Sequence, residues 1–531
     1  TTPDYIGGQT QFDGETGLAV AQMIDEDHDE DIGYPIGLST AVEYDPDSKP
    51  PIHKNRRFRL YAITGVLLLL VIIAGAAVGA LATRPPAVIV VRDTLEPTST
   101  PTTAPSNTLE GEYLQNFRNA LGSMVDVSGS IYDRAAQWII YEDKLELRPD
   151  DKNLLQRYLL VLFYFTTTAN ETRPWVSCGR PENPFDADCT YQRLTRTETD
   201  ELEYRGEAAT AWLSYKHECE WIGNICDDIQ FIRALDLWGQ NITGTMPVFL
   251  QELPYLQSIA VPFNQFTGTL PSEYGTMRHL LNLEVHFNSL EGTIPQAYYQ
   301  ASTLQNFNIG SNMFTGSLST EIGRLSNLKG FHIFENHLDS TIPTELGKLE
   351  FLSYCRMNEN AFTGTIPSEL GTLLLLQDLW LHGNILQGTI PDSVGGLVDL
   401  TDFRVAFNKL TGTIPSEVYR LSRLFRLEVN QNFLTGTIAT NIGSLTRMSI
   451  LRFARNQFTG TIPSELAKLN SLALVQFQLN NFVGAIPDAL CSQPSLFFIN
   501  ADCLPRIGAP TPCDCCTSCC LRETEICRIQ S

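Results

Sequence analysis

Asp378 and Asp402 occupy the same position in adjacent copies of a 24-residue unit, and both face outward. Their separation is near that of the carboxylate pair in a retaining glycosidase. Hydrolysis is nevertheless not expected. The face is open, nothing desolvates a general acid, and Arg404 and Arg426 stand beside the pair. These charges predict an ion-pair ladder. His286, His332 and His382 raise the question of a metal, but they fall in the third, fifth and seventh copies. Neighbouring histidines are then about 10 Å apart, whereas metal–nitrogen bonds are about 2 Å, so one shared ion is not expected. The sequence has no H-E-x-x-H, G-x-S-x-G or Walker pattern. No enzyme activity, catalytic residue, metal or cofactor is therefore expected.

What remains is a recognition set. Arg356, Trp380 and Arg404 share one outward column on successive copies, with His332, Phe334, Tyr354 and His382 around them. Aromatic and Arg side chains are the types that anchor interfaces. Guanidinium stacked on indole is worth about 0.5–1 kcal/mol at an exposed site. Such stacking predicts donors held ready for a carboxylate or for sugar hydroxyls. The opposing reading is a solvated face with scattered aromatics.

The unit that positions these residues reads L-x-L-x-x-N-x-L-x-G-x-I-P and repeats eleven times without a gap between Arg233 and Pro487. One copy holds Leu379, Leu381, Asn384, Leu386, Gly388, Ile390 and Pro391. The Asn column runs from Asn264 to Asn480, with Gln240 in the first copy. Ser340 replaces Gly in the fifth, and Ser319 and Ala439 each replace a terminal Pro. The L-x-L stretch predicts a short strand with its Leu pair inward, and consecutive strands stack in parallel about 4.7–4.9 Å apart. The Asn amide carries donors and acceptors to satisfy backbone that the following bend would bury unpaired. Gly permits a second tight turn and Pro fixes the next φ. A coil buries its apolar residues only against its neighbours, so none is stable alone. Thr-Gly-Thr recurs around Gly244, Gly364 and Gly412. Stacked threonines also occur on ice-binding surfaces, but Thr equally suits an exposed strand.

The I/L-x-G-x-I-P-S-E-L form of the unit resembles the plant-type leucine-rich repeat of receptor-like proteins, receptor kinases and polygalacturonase inhibitors. Cys219-Glu220-Trp221-Ile222-Gly223-Asn224-Ile225-Cys226 resembles the plant-type N-terminal cap, C-x-W-x-G-x-x-C. The block from Leu154 to Tyr164 and the closing Cys513-to-Cys520 cluster resemble membrane-anchored repeat proteins of diatoms. The fold implied is an α/β solenoid, an eleven-coil horseshoe with a helical N-terminal cap and a Cys-rich C-terminal cap, plus one transmembrane helix. The resemblance also implies ligand binding on the concave face. No kinase domain is expected, because the portion before the apolar segment is too short for one.

That apolar segment, Leu60 to Thr83, is 24 residues without a charge, enough to span about 30 Å of hydrocarbon. Lys49, Lys54, Arg56, Arg57 and Arg59 precede it, and only Arg84 and Arg92 follow. The positive-inside rule therefore predicts a type II protein, with a cytoplasmic N-terminus and extracellular or luminal repeats. The sequence starts at Thr1, which leaves an upstream signal peptide open. That alternative would put the Cys-rich end in the cytosol. With the cysteines outside, the 13 of them are expected as twelve paired and Cys355, at an inward position, free. A zinc site is the competing reading of the C-terminal cluster. Asn170 and Asn241 open glycosylation sequons on the outer side. Gly75 and Gly79, spaced G-x-x-x-G, are a candidate contact for a homodimer.

Six segments follow. Residues 1–59 form an acidic disordered tail, with twelve acidic residues and one Lys in its first 53. Much of the net charge of −23 sits there, so the charge says little about a ligand. Residues 60–83 are the span, 84–110 a Ser/Thr/Pro-rich stalk, and 111–228 a helical cap with Cys pairs. The repeats occupy 229–487 and the Cys-rich cap 488–531. The expected function is non-enzymatic recognition of an extracellular protein, peptide or glycan, with a signalling partner or co-receptor if the protein is a receptor. No nucleic-acid partner is expected. Adhesion or cell-wall attachment, and inhibition of a secreted hydrolase, are the alternatives.

Overall fold

The computed structural model describes residues 109–169, 175, 178–182, 185, 187–196, 202–502, 515–521 and 526–529. The tail, apolar span, all but the end of the stalk, Asn170, Gly75 and Gly79 lie outside these residues. Among the described residues no helix is long and apolar enough to cross a membrane.

Three helices open the described chain: α1 (Leu109–Leu121), α2 (Ile131–Gln137) and α3 (Leu154–Thr167). Twelve of the 14 residues of α3 are buried, as expected for a helix apolar on nearly every face. Its one guanidinium, on Arg157, is fully buried and takes a fixed set of partners. Its Nε and Nη2 donate to Asp143 at 2.6 and 2.7 Å, Nη1 lies 3.3 Å from Glu218, and Trp221 covers it at 4.6 Å. Gln156 joins this cap to the solenoid by accepting from the Ile232 N–H at 2.7 Å at the first repeat strand. The helical part of the cap ends at Thr167. An antiparallel hairpin, Asp188–Arg196 with Leu202–Thr210, follows it and is not predicted by the helical periodicity. Disulfides join Cys178 to Cys189 and Cys219 to Cys226.

The repeats build one parallel sheet, stepping by 24 residues from Ile232–Asp236 in coil 1 to Leu474–Gln476 in coil 11. Register is constant, as in Asp378↔Asp402, Leu379↔Phe403 and Trp380↔Arg404. Within coil 7 the inward set Leu379, Leu381, Leu386, Ile390, Val394, Leu397 and Leu400 is buried. Pro391 then precedes a 3₁₀ turn, Asp392–Gly396, where its fixed φ suits the entry. The predicted eleven coils are present, and a twelfth strand extends them. Phe498–Asp502 pairs in parallel with Leu474–Gln476, burying Ile499 and Ala501. The C-terminal cap therefore begins inside a further half-coil. Ser518–Leu521 and Ile526–Ile529 finish the sheet. Cys491 is bonded to Cys515 and Cys516 is also disulfide-bonded, while Cys355 is a buried free thiol.

The Asn column ties each coil to the one before it. Asn408 Nδ2 donates to Leu381 O at 2.9 Å in coil 7 and to Val405 O and Ala406 O at 3.2 and 3.1 Å in its own coil. Its Oδ1 accepts from Leu386 N at 2.9 Å, again in coil 7. The Gly column has a steric reason as well as a conformational one. Gly412 has φ +78°, and a Cβ there would lie 2.8 Å from the Thr389 methyl of the preceding coil.

Candidate ligand-binding face

Strand alternation turns one residue in two toward the concave side, and the constant register stacks these residues into columns. The Trp380 indole, half-buried in coil 7, is clamped between Arg356 of coil 6 and Arg404 of coil 8. The two guanidinium carbons lie 3.9 and 3.8 Å from the ring centroid.

An acidic column alongside holds both arginines. Arg356 Nη2 donates to Asp378 Oδ2 at 2.7 Å. Arg404 donates through Nε and Nη2 to Asp402, each at 3.0 Å. The ladder continues through Arg426, 3.9 Å from Asp402 and 3.8 Å from Glu428, to Arg452, 3.2 Å from Glu428. Burial pushes the Asp402 carboxyl upward, against the opposing pull of Arg404 and Arg426. The expected ion-pair ladder is present. It corrects the expectation that stacking leaves the guanidinium donors ready, because Asp378 and Asp402 already accept from them. Arg404 is also buried, with 3% of its surface exposed.

The other members of the expected set divide into two groups. The His332 ring stacks 6.4 Å from Tyr354, whose hydroxyl donates to Gln377 Oε1 at 3.3 Å. Tyr354 is exposed and His332 half-buried. Burial, with Arg356 and His286 adding to it, pulls the His332 pKa down to about 3. His382 sits 6.1 Å from Trp380. Phe334, by contrast, turns toward the N-terminal coils and lies over Gly310, where an added Cβ would come 2.3 Å from its ring. There it approaches Phe287, at 6.0 Å between ring centroids.

Phe334 thus joins a row of rings that the columns alone do not reveal. Phe263 and Phe287 stack at 4.3 Å, Trp238 meets Phe263 edge-on at 5.0 Å, and His286 lies 5.8 Å from Phe263. The sequence signal is Phe-Asn in two adjacent copies, Phe263-Asn264 and Phe287-Asn288, a pair that recurs at that position of the unit only singly, as Phe407-Asn408. Of the sequons, Asn241 is exposed and its Oδ1 accepts from Gln265 Nε2.

No family model and no curated protein matches the chain. Among solved structures it is similar to the plant peptide hormone receptor RGFR1 in complex with RGF2, at 29% identity over 51% of this chain and 43% of that one, TM-score 0.49. It is similar to a TDR receptor at 31% identity, over 50% of this chain and 47% of that one, TM-score 0.47. It also resembles the Arabidopsis receptor kinase HAESA in complex with the peptide hormone IDA and the co-receptor SERK1. The identity there is 29%, over 49% of this chain and 48% of that one, TM-score 0.44. The chain spans less than half the length of each of these three.

Proposed function

We propose that this chain is a non-enzymatic recognition protein of plant-type leucine-rich-repeat character, similar in pattern to membrane-anchored diatom repeat proteins. Its solenoid displays the concave face to a protein, peptide or glycan. The uncharged stretch 60–83 anchors it as a type II membrane protein, with the repeats extracellular or luminal. A co-receptor or other partner carries any signal onward.

The observation that carries this reading is the Arg356–Trp380–Arg404 sandwich with its two aspartates. The residues lie on the outward side of the strands, so they add nothing to the inward Leu core. They hold the indole rigid, which lowers the entropy cost of binding at its exposed edge. Because both guanidinium groups are ion-paired and cover the two faces of the ring, the sandwich offers a ligand the indole edge and the guanidinium flanks rather than free cations.

Trp380→Ala tests the proposal on the full-length protein, against peptide and glycan arrays. Folding should be nearly unchanged. Affinity for the identified ligand should fall by about 2 kcal/mol if Trp380 is a hot spot. Lys348→Ala, away from the strand face, should change neither. Wild-type binding of every identified ligand by Trp380→Ala would favour a structural protein for adhesion or wall attachment.

A further inference from the structure

We infer that the N-terminal half of the concave face, over coils 1–5, is a subsite for a neutral oligosaccharide. The inference rests on the concave face being the binding surface, and it names the ligand class for that half.

The first observation is the ring row. Trp238, Phe263, Phe287 and Phe334 lie in sequence at 5.0, 4.3 and 6.0 Å between ring centroids, and all four are half-buried. They run from coil 1 to coil 5, and the three steps together reach about 15 Å at most. Phe263 and Phe287 hold their rings at left-handed backbone, φ +56° and +53°. A bulky residue is less favoured there than Gly or Asn. Every coil from the second to the eleventh is left-handed at this position, which elsewhere takes Ser311, Glu335, Glu359, Gly383, Gln431, Arg455 and Leu479, and Phe again only at Phe407 in coil 8. The repeat fixes the backbone there but not the residue, and Phe263 and Phe287 are the two rings that fall in adjacent coils and stack.

The second observation is the floor beside the rings. The strands of coils 2–4 read Ser258–Ala260, Asn282–Glu284 and Asn306–Asn308, with no basic side chain. Asn306 Nδ2 donates to Asn282 Oδ1 at 2.8 Å, which aligns the two amides along the face. Asn308 Oδ1 accepts from Gly310 N at 3.2 Å. His286 lies between floor and rings, and burial holds its pKa down at about 4, so the imidazole is neutral at neutral pH.

Together these suit one ligand chemistry. Ring faces pack against the apolar C–H faces of pyranose units. Amides, a hydroxyl and a neutral imidazole exchange hydrogen bonds with sugar hydroxyls. An apolar helix would leave the amides desolvated and unpaired. Phosphate, sulfate or uronate would meet Glu284 and Asp236 with no cation in the strands of coils 2–4, and Arg233 in coil 1 is ion-paired with Asp227. Coils 6–10 differ sharply, carrying Arg356, Arg404, Arg426 and Arg452.

The test is calorimetry on the full-length protein in detergent with neutral hexasaccharides (gluco- and manno-configured), plus a hexauronide as the acidic counterpart. At least one neutral sugar should bind, with affinity changed less than about twofold between ~0.1 and ~1 M salt. Phe263→Gly with Phe287→Gly keeps the left-handed backbone accessible and should weaken binding about tenfold or more, while Lys348→Ala, away from the strand face, should leave it within about twofold. Trp238→Ala repeats the test at a ring carried on ordinary backbone, should the double variant fail to fold. Absence of neutral-sugar binding, preference for the hexauronide, or unchanged binding without the rings overturns the inference. Loss of sugar binding in Trp380→Ala alone moves the sugar to coils 6–8. That outcome defeats this inference and keeps the concave-face reading.

Discussion

Asn408→Ala should destabilise the solenoid out of proportion to the size of the change. The amide makes four hydrogen bonds, two of them to coil 7. Leu386, whose N–H it receives, is buried. An unpaired buried donor costs about 1–3 kcal/mol, and each lost bond is worth a net 0.5–1.5 kcal/mol or so. With the carbonyls of Leu381, Val405 and Ala406 also losing a donor, the expected total is about 3–5 kcal/mol. In a repeat array, stability is the sum of coil terms and nearest-neighbour interface terms. The loss falls on the coil 7–coil 8 interface, so the urea transition should split. Fluorescence of Trp380, in coil 7, is the local probe. Asn408→Asp discriminates the cause. It keeps the acceptor for Leu386 N–H but sets a second oxygen against three carbonyl oxygens, so it should be at least as damaging as Ala. A loss below about 1 kcal/mol, or Asp tolerated better than Ala, would refute the argument that the amide's donors staple the coils.

Three further outcomes are expected. Burial pushes the Cys355 thiol up to about 12, so it should resist thiol reagents in the native protein, and denaturation without reductant should release about one free thiol. Titration of most C-terminal cysteines together with bound zinc would instead mark a metal site. The folded-state pKa of His286, about 4, lies below its ordinary 6.5. The unfolded chain therefore takes up a proton that the folded state resists. Stability is full above about pH 6.5 and should drop by about 1–2 kcal/mol by about pH 5. His332, held down at about 3, adds a loss of the same sign over the same range, so His286→Phe should remove about half of the fall in the urea-midpoint profile, and an unchanged profile would exclude His286 as a contributor. In intact cells, protease should reach an epitope at Ser531 and spare one at Thr1. The reverse pattern would end the type II proposal.

The parts of this molecule legible in the sequence are those that every coil must repeat. Asn408, Gly412 and the inward Leu pairs each meet a steric or hydrogen-bonding demand set by the neighbouring coil, so a 24-residue period exposes them. Strand alternation also placed Arg356, Trp380 and Arg404 in one line, since register in a parallel sheet follows from the period. The ion-pair ladder of Asp378 and Asp402 with Arg404 and Arg426 is expected from the sequence, but not that Arg356 joins it and that the ladder occupies the donors of the sandwich. Asp378 and Asp402 sit in the adjacent column, and their choice of partner depends on rotamers rather than spacing. Arg157 poses the same difficulty. One charge inside an apolar helix signals that partners exist, but Asp143 and Glu218 come from distant segments.

The ring row escaped for a different reason. Phe263 and Phe287 occupy the residue just past the strand, where the backbone turns left-handed and the in–out alternation no longer applies. The last half-coil was hidden because, after the apolar strand pair in Phe498–Asp502, the sequence has Leu504 and Thr511 where the unit has Asn and Pro, and keeps only Gly508. A repeat constrains its inward residues so strongly that function has to be written where the copies disagree. Gly310 illustrates this. No other coil places Gly at that outward position, and its missing side chain is the space that Phe334 fills to reach Phe287. A departure from the repeat in one coil is therefore read best together with the side chain that the next coil lays over it.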